Sequence, residues 1–131
     1  VELNFPGDNR HQAFAEDAFK FLDTMGDQYD LIILDPPAFA KHKKVLNNAL
    51  QGYRKLNAKA FEKIRPGGIL FTFSCSQVVS KENFRLAVFS AAAQSGRNVR
   101  ILHQLTQPAD HPVNIYHPEG EYLKGLVLYV E

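Results

Sequence analysis

Leu31-Ile32-Ile33-Leu34-Asp35-Pro36-Pro37-Ala38-Phe39 decides the fold. Four consecutive apolar residues read as a strand buried on both faces, the pattern of a parallel sheet covered by helices. Pro36-Pro37 must end that strand, because neither residue has an amide hydrogen to give. The strand therefore gives way to a stiff loop that opens on a carboxylate. The same arrangement recurs downstream, where Ile69-Leu70-Phe71-Thr72-Phe73 runs into Ser74-Cys75-Ser76 and carries the only cysteine of the chain. In open α/β sheets, ligands bind beyond the carboxyl ends of the strands. The two loops are thus expected to face one pocket suited to chemistry on a planar base.

Helical patterns separate these strands. Asp17 to Met25 reads as a helix capped by Asp17, with Ala18, Phe21, Leu22 and Met25 on its apolar face and Gly26 at its exit. Val45 to Ile64 is the clearest helix, since Leu46, Ala49, Leu50, Tyr53, Leu56, Ala60, Phe61 and Ile64 recur at helical spacing. Pro66-Gly67-Gly68 turns the chain into the second strand. Lys81 to Gln94 is another amphipathic helix, Val99 to Leu105 a strand, Gln107 to Gly120 a polar loop and Leu123 to Val130 the last strand. His11 to Phe14 is a further short strand candidate. Strands alternating with helices imply an α/β, doubly wound, Rossmann-like sheet, mostly parallel, with helices on both faces. The closing hairpin is expected to add an antiparallel strand at one edge.

The 131 residues suffice for one domain with a core. Hydrophobic content of 45% and charged content of 22% fit an ordinary globular chain. A single cysteine excludes an internal disulfide and fits a reducing compartment. No apolar stretch approaches the roughly 18 residues of a membrane span, and no secretion signal opens the sequence, so a cytoplasmic location without membrane association is expected. The net charge of +1 is unevenly spread. Acids dominate up to Asp35, whereas Lys41, Lys43, Lys44, Arg54, Lys55, Lys59, Lys63 and Arg65 face only Glu62. Such a basic block beside a candidate catalytic loop reads either as phosphate contacts or as a solvated helix face.

Four stretches in order resemble the class I S-adenosylmethionine-dependent methyltransferases. They are Leu34-Asp35-Pro36-Pro37-Ala38-Phe39, Arg65-Pro66-Gly67-Gly68, Phe73-Ser74-Cys75-Ser76, and Asp110-His111-Pro112 with Pro118-Glu119-Gly120-Glu121-Tyr122-Leu123-Lys124-Gly125. The bacterial large-subunit ribosomal RNA cytosine-5 methyltransferase family is the nearer likeness. That fold normally opens with a glycine-rich turn for the methionine end of the cofactor, and no Gly-x-Gly lies near the start here. The resemblance thus implies that residues 1–131 are the C-terminal portion of a catalytic domain, with Val1-Glu2-Leu3-Asn4 as the tail of a preceding helix. It also implies an orphaned sheet edge. The strand at His11–Phe14 would then pair directly with the Leu31 strand or with another chain, giving a possible homodimer.

The same resemblance implies roles. Cys75 would add as a thiolate to carbon 6 of cytosine, making carbon 5 nucleophilic enough to take a methyl group. Asp35 would meet N3 while the Pro36 carbonyl accepts from the exocyclic amino group. S-adenosylmethionine would lie against Asp17 and Ala18 at its adenine and against Asp35 and Pro36 near its methyl. Ribosomal RNA would touch Pro37, Phe39, Lys41, Lys43, Lys44, Ser74 and His111. A base must later remove the hydrogen at carbon 5, and Asp35 and His111 are both candidates. His111, His117, Glu119 and Glu121 match no standard zinc spacing, so no metal is expected. Two alternatives stay open. One is an amino- or guanine-directed RNA methyltransferase, with Cys75 merely packed. The other is a non-catalytic RNA-binding scaffold.

Overall fold

The computed structural model describes residues 3–26, 29–39 and 42–131. Seven main elements succeed one another: α1 (Ala18–Thr24), β1 (Tyr29–Leu34), α2 (Leu46–Lys63), β2 (Ile64–Ser74), α3 (Lys81–Ser95), β3 (Val99–Leu105) and β4 (Lys124–Val130). Short 3-10 turns at Lys43–Val45 and Pro118–Gly120 complete the order. Local chemistry sets the helix ends. The Asp17 carboxylate accepts from the amides of Phe19 and Lys20. The Ser80 hydroxyl accepts from the Asn83 amide, and Gly96 closes α3 in the left-handed conformation.

The strands form one mixed sheet in the order β1-β2-β4-β3. β1 and β2 are parallel, with Leu34 opposite Thr72. β4 runs antiparallel to both β2 and β3. Three strands thus share one direction and the C-terminal strand opposes them, as the sequence pattern implies. β4 is not at the edge, however. It lies inside, between β2 and β3. Its run Leu126 to Leu128 is buried, as a central strand requires, whereas β3 carries Arg100, His103 and Gln104 and takes the exposed edge.

Among the described residues the helices lie on one face of the sheet, not on both. α2 packs along α3, α1 packs on α2, and Leu22, Tyr53, Phe61, Phe84 and Val88 share one core with Leu34, Leu70, Leu126, Leu128 and Val130. Successive right-handed crossovers that advance in one direction leave their helices on one side of the sheet. The two crossovers here, β1 to β2 and β2 to β3, advance that way. β1 is consequently not buried on both faces, and Leu31 and Ile33 are 51% and 60% exposed.

Three local expectations need correction. His11 to Phe14 form no strand and are exposed, so they do not pair with β1. Leu3 and Asn4 lie in a turn rather than a helix, and Val1 and Glu2 fall outside the described residues. Pro66-Gly67-Gly68 is absorbed into β2, where Arg65 to Gly68 stand opposite Asp30 alone, a bulge between the pairs Tyr29–Ile64 and Leu31–Ile69.

Gly125 tests the packing of β4. A Cβ there would sit 2.5 Å from the Phe73 ring and 3.2 Å from the Leu105 Cβ. Gly125→Ala is expected to destabilise the chain by about 2 kcal/mol through overpacking, read as a lower urea midpoint with unchanged slope.

Candidate functional site

Because β1 and β2 are parallel neighbours in register, their carboxyl ends release the Asp35–Phe39 and Cys75 loops side by side. Asp35 and Pro37 are exposed, and Pro36 and Phe39 are half-buried. Cys75 is a free, half-buried thiol. The two loops are joined from beneath by Tyr53 of α2, which is fully buried. The Phe39 ring lies 4.7 Å from the Tyr53 ring, tilted by 56°. Phe84 meets the Tyr53 ring edge-on at 5.3 Å. The Ser74 hydroxyl donates to the Tyr53 oxygen at 2.9 Å. Gly52 makes room for the contact, since a Cβ there would come within 3.1 Å of Phe39.

Tyr53 thus packs against one loop through Phe39 and bonds the end of the other strand through Ser74. Burial pushes its phenol above the ordinary value of 10.0, while hydrogen bonds from Ser74 and the Phe39 backbone pull the other way and the Cys75 charge adds to the rise. The folded chain therefore keeps this proton at a pH where an unfolded tyrosine has lost it. Stability should hold below about pH 10 and fall as pH rises further. Tyr53→Phe lacks the titrating group. The stability difference between wild type and Tyr53→Phe, measured by urea unfolding, is expected to shrink above that pH.

A second support comes from β4. Lys124 sits opposite Ser74 in the register and is buried. Its ammonium donates to the Ser76 carbonyl at 2.5 Å and to the Tyr122 carbonyl at 2.7 Å. It therefore ties the Cys75 loop to the long β3–β4 loop. Desolvation pushes Lys124 below its ordinary value, the Cys75 charge pulls it up, and Lys81 pushes it down. The His111 ring reaches the Tyr122 hydroxyl at 3.0 Å. His111 is thus linked to the Cys75 loop through Tyr122 and Lys124.

The remaining site residues fall into place unevenly. Ser74 is fully buried and committed to Tyr53, so it stands behind the site rather than in it. Asp17 uses one carboxylate oxygen to cap α1, and Ala18 is exposed beside it. Lys44 is exposed, whereas Lys41 and the side chain of Lys43 lie outside the described residues. The basic block divides. Lys59 pairs with Asp23, Arg65 with Asp30 at 3.1 Å, and Lys63 donates to the Met25 carbonyl at 3.2 Å. Two of these cations answer acids of the N-terminal part of the chain and the third a main-chain carbonyl there, so only part of the block is available to phosphate.

By sequence pattern Tyr53 is one residue of an apolar helix face, and Lys124 has no evident role. Both carried a signal. A tyrosine in the middle of an apolar stripe needs a partner for its hydroxyl. A lysine that opens an otherwise apolar strand must find acceptors or a counter-charge.

No family model matches the chain. Among curated proteins it is similar to the ribosomal RNA large subunit methyltransferase I of Aeromonas hydrophila, with 43% identity over 131 residues, 98% of this chain and 33% of that protein. The protein of the same name from Tolumonas auensis is 47% identical over 116 residues, 86% of this chain and 29% of that protein. The chain thus spans about a third of the length of these relatives. Among solved structures it is similar to SMU.776, assigned as a methyltransferase and solved with SAH, at a TM-score of 0.66 and 24% identity over 86% of this chain and 29% of that one. A second structure, assigned as a SAM-dependent methyltransferase from Streptococcus mutans, matches at a TM-score of 0.66 and 23% identity, over 86% of this chain and 28% of that one. The four-stranded mixed sheet and its helical layer therefore have the fold of part of these methyltransferase structures.

Proposed function

We propose that this chain is the C-terminal part of an S-adenosylmethionine-dependent methyltransferase that modifies carbon 5 of a cytosine in ribosomal RNA. The observation that carries the reading is the parallel pairing of β1 with β2, which sets Asp35 and Cys75 just beyond neighbouring strand ends, with Tyr53 packed beneath both loops. Similarity to proteins named ribosomal RNA large subunit methyltransferase I supports the substrate class.

The residues present fit the cofactor in part. Asp17 Oδ1 accepts the two capping amides, which leaves Oδ2 for a donor such as an adenine amino group. Asp17 and Ala18 would hold that end, and Asp35 and Pro36 would lie near the transferred group. When bound, S-adenosylmethionine supplies an electrophilic methyl group. The chain's own residues prepare the acceptor. The Cys75 thiolate forms a bond to carbon 6, and the displaced electron pair builds up on carbon 5 while Asp35 hydrogen-bonds N3. After methylation, a base takes the hydrogen from carbon 5 and the carbon–sulfur bond breaks, returning the thiolate. Phe39, Pro37 and Lys44 border the base and the neighbouring phosphate, and Lys41 and Lys43 belong to the same segment.

The test is a methyl-transfer assay of the intact protein on ribosomal RNA, with the product nucleoside identified by mass spectrometry. The expected product is 5-methylcytidine. N4-methylcytidine or a methylated guanosine would replace this reading with the amino- or guanine-directed one. Pairing of the free β1 edge with a second copy is part of the proposal, and sedimentation should then find a dimer. The surroundings are expected to be cytoplasmic. No helix among the described residues is long and apolar enough to cross a membrane.

A further inference from the structure

We infer that Lys124 is a positioning residue for Cys75, holding the nucleophile's loop through the Ser76 carbonyl and placing a fixed positive charge beside the thiolate. The inference rests on the reading of Cys75 as the nucleophile and extends it. Three observations carry it. Lys124 is 7% exposed, and a buried ammonium is costly without compensation. Two of its three hydrogens are held by main-chain carbonyls, one of them a single residue beyond Cys75. The register sets Lys124 opposite Ser74, the residue just before Cys75. Sheet pairing therefore fixes the Lys124 backbone opposite the residue before the cysteine, and a direct bond fixes its ammonium on the residue after it.

The charges around Lys124 leave Cys75 as its counter-charge. From α3, Lys81, Glu82 and Arg85 line a cavity of about 200 Å³ with it. Lys81 opposes the Lys124 charge, and Glu121 is engaged by Lys81 at 2.5 Å. From the β3–β4 loop, Tyr122 offers its carbonyl, with its hydroxyl on His111. Beyond the two carbonyls, the charge that favours the ammonium is that of Cys75, whereas Lys81 opposes it. A cation held beside a cysteine is the kind of neighbour that activates a thiol. This matters because the thiolate is the attacking species. The arrangement would also keep the thiolate fixed when carbon 5 is released and sulfur leaves.

Alkylation of Cys75 by iodoacetamide in the intact protein is read by mass spectrometry on the peptide that carries it. The rate is followed from about pH 6 to about pH 10 in wild type, Lys124→Met and Lys124→Arg. Lys124→Met is expected to react about tenfold more slowly near neutral pH, with its midpoint moved to higher pH, and Lys124→Arg to restore most of the rate. A Lys124→Met profile that overlays the wild type would overturn the inference. Should Lys124→Met fail to fold, NMR titration of the Lys124 ammonium in wild type and Cys75→Ser decides. A lower midpoint in Cys75→Ser supports the coupling, and an unchanged midpoint overturns it. Alkylation does not involve methyl transfer. Failure here, with a cytosine-5 product still formed, would remove Lys124 and spare Cys75, whereas loss of the product reading alone would leave the Lys124–Cys75 coupling standing.

Discussion

Cys75→Ala is expected to lower methyl transfer to cytosine by on the order of 10^4-fold or more, with RNA affinity unchanged. Carbon 5 of cytosine does not attack an electrophilic methyl group unaided, and none of the other residues placed around the site is a thiol. Serine in the same place would not serve, because a hydroxyl is not ionised near neutral pH. The substitution should leave the fold intact, since Cys75 is only half-buried and Tyr53 and Lys124 make their bonds to its neighbours Ser74 and Ser76. Single-turnover rates and filter binding on the intact protein separate the two effects. Full activity in Cys75→Ala would favour an amino- or guanine-directed enzyme in which the cysteine is packing.

Tyr53→Ala is expected to cost about 4 kcal/mol, enough to bring a small domain near unfolding. Tyr53 is fully buried and packs on Phe39 and Phe84, so truncation opens a cavity between α2 and both loops. It also strips the buried Ser74 hydroxyl of its acceptor. Tyr53→Phe keeps the ring and loses only the oxygen, and about 1 kcal/mol is expected. Urea unfolding of the three chains measures both. A loss in Tyr53→Ala no larger than in Tyr53→Phe would mean that the ring does not hold the loops together.

Much of this arrangement was legible in the residues. β3 spans Val99–Leu105 as its pattern indicates, and Ser80, Gly96 and Asp17 mark helix ends by capping chemistry that acts within a few residues. The features that were not legible depend on partners distant in sequence. The burial of a strand's second face depends on what packs there, and the run Leu31–Leu34 looks the same whether one face is covered or two. The interior place of β4 could have been inferred. Gly125 to Val130 is apolar throughout, whereas β3 mixes Arg100, His103 and Gln104 into its strand, and the more polar member of a hairpin belongs at the edge.

The site divides in the same way. Asp35, Pro36 and Cys75 stand out because strand-end loops carry chemistry in open sheets. The supports did not stand out, because Tyr53 reaches the site from a helix and Lys124 from a strand far along the chain. The basic block illustrates the limit of counting charges. Lys59 and Arg65 look available to RNA until the fold sets Asp23 and Asp30 beside them.

The most direct test of the central claim is covalent trapping. The intact protein is incubated with S-adenosylmethionine and ribosomal RNA carrying 5-fluorocytidine. Fluorine at carbon 5 cannot leave as a proton, so the carbon–sulfur bond should persist after methylation. The expected result is a denaturant-stable protein–RNA adduct whose peptide maps to Cys75 and which is absent in Cys75→Ala. Methyl transfer to the unmodified RNA without any such adduct would contradict the account.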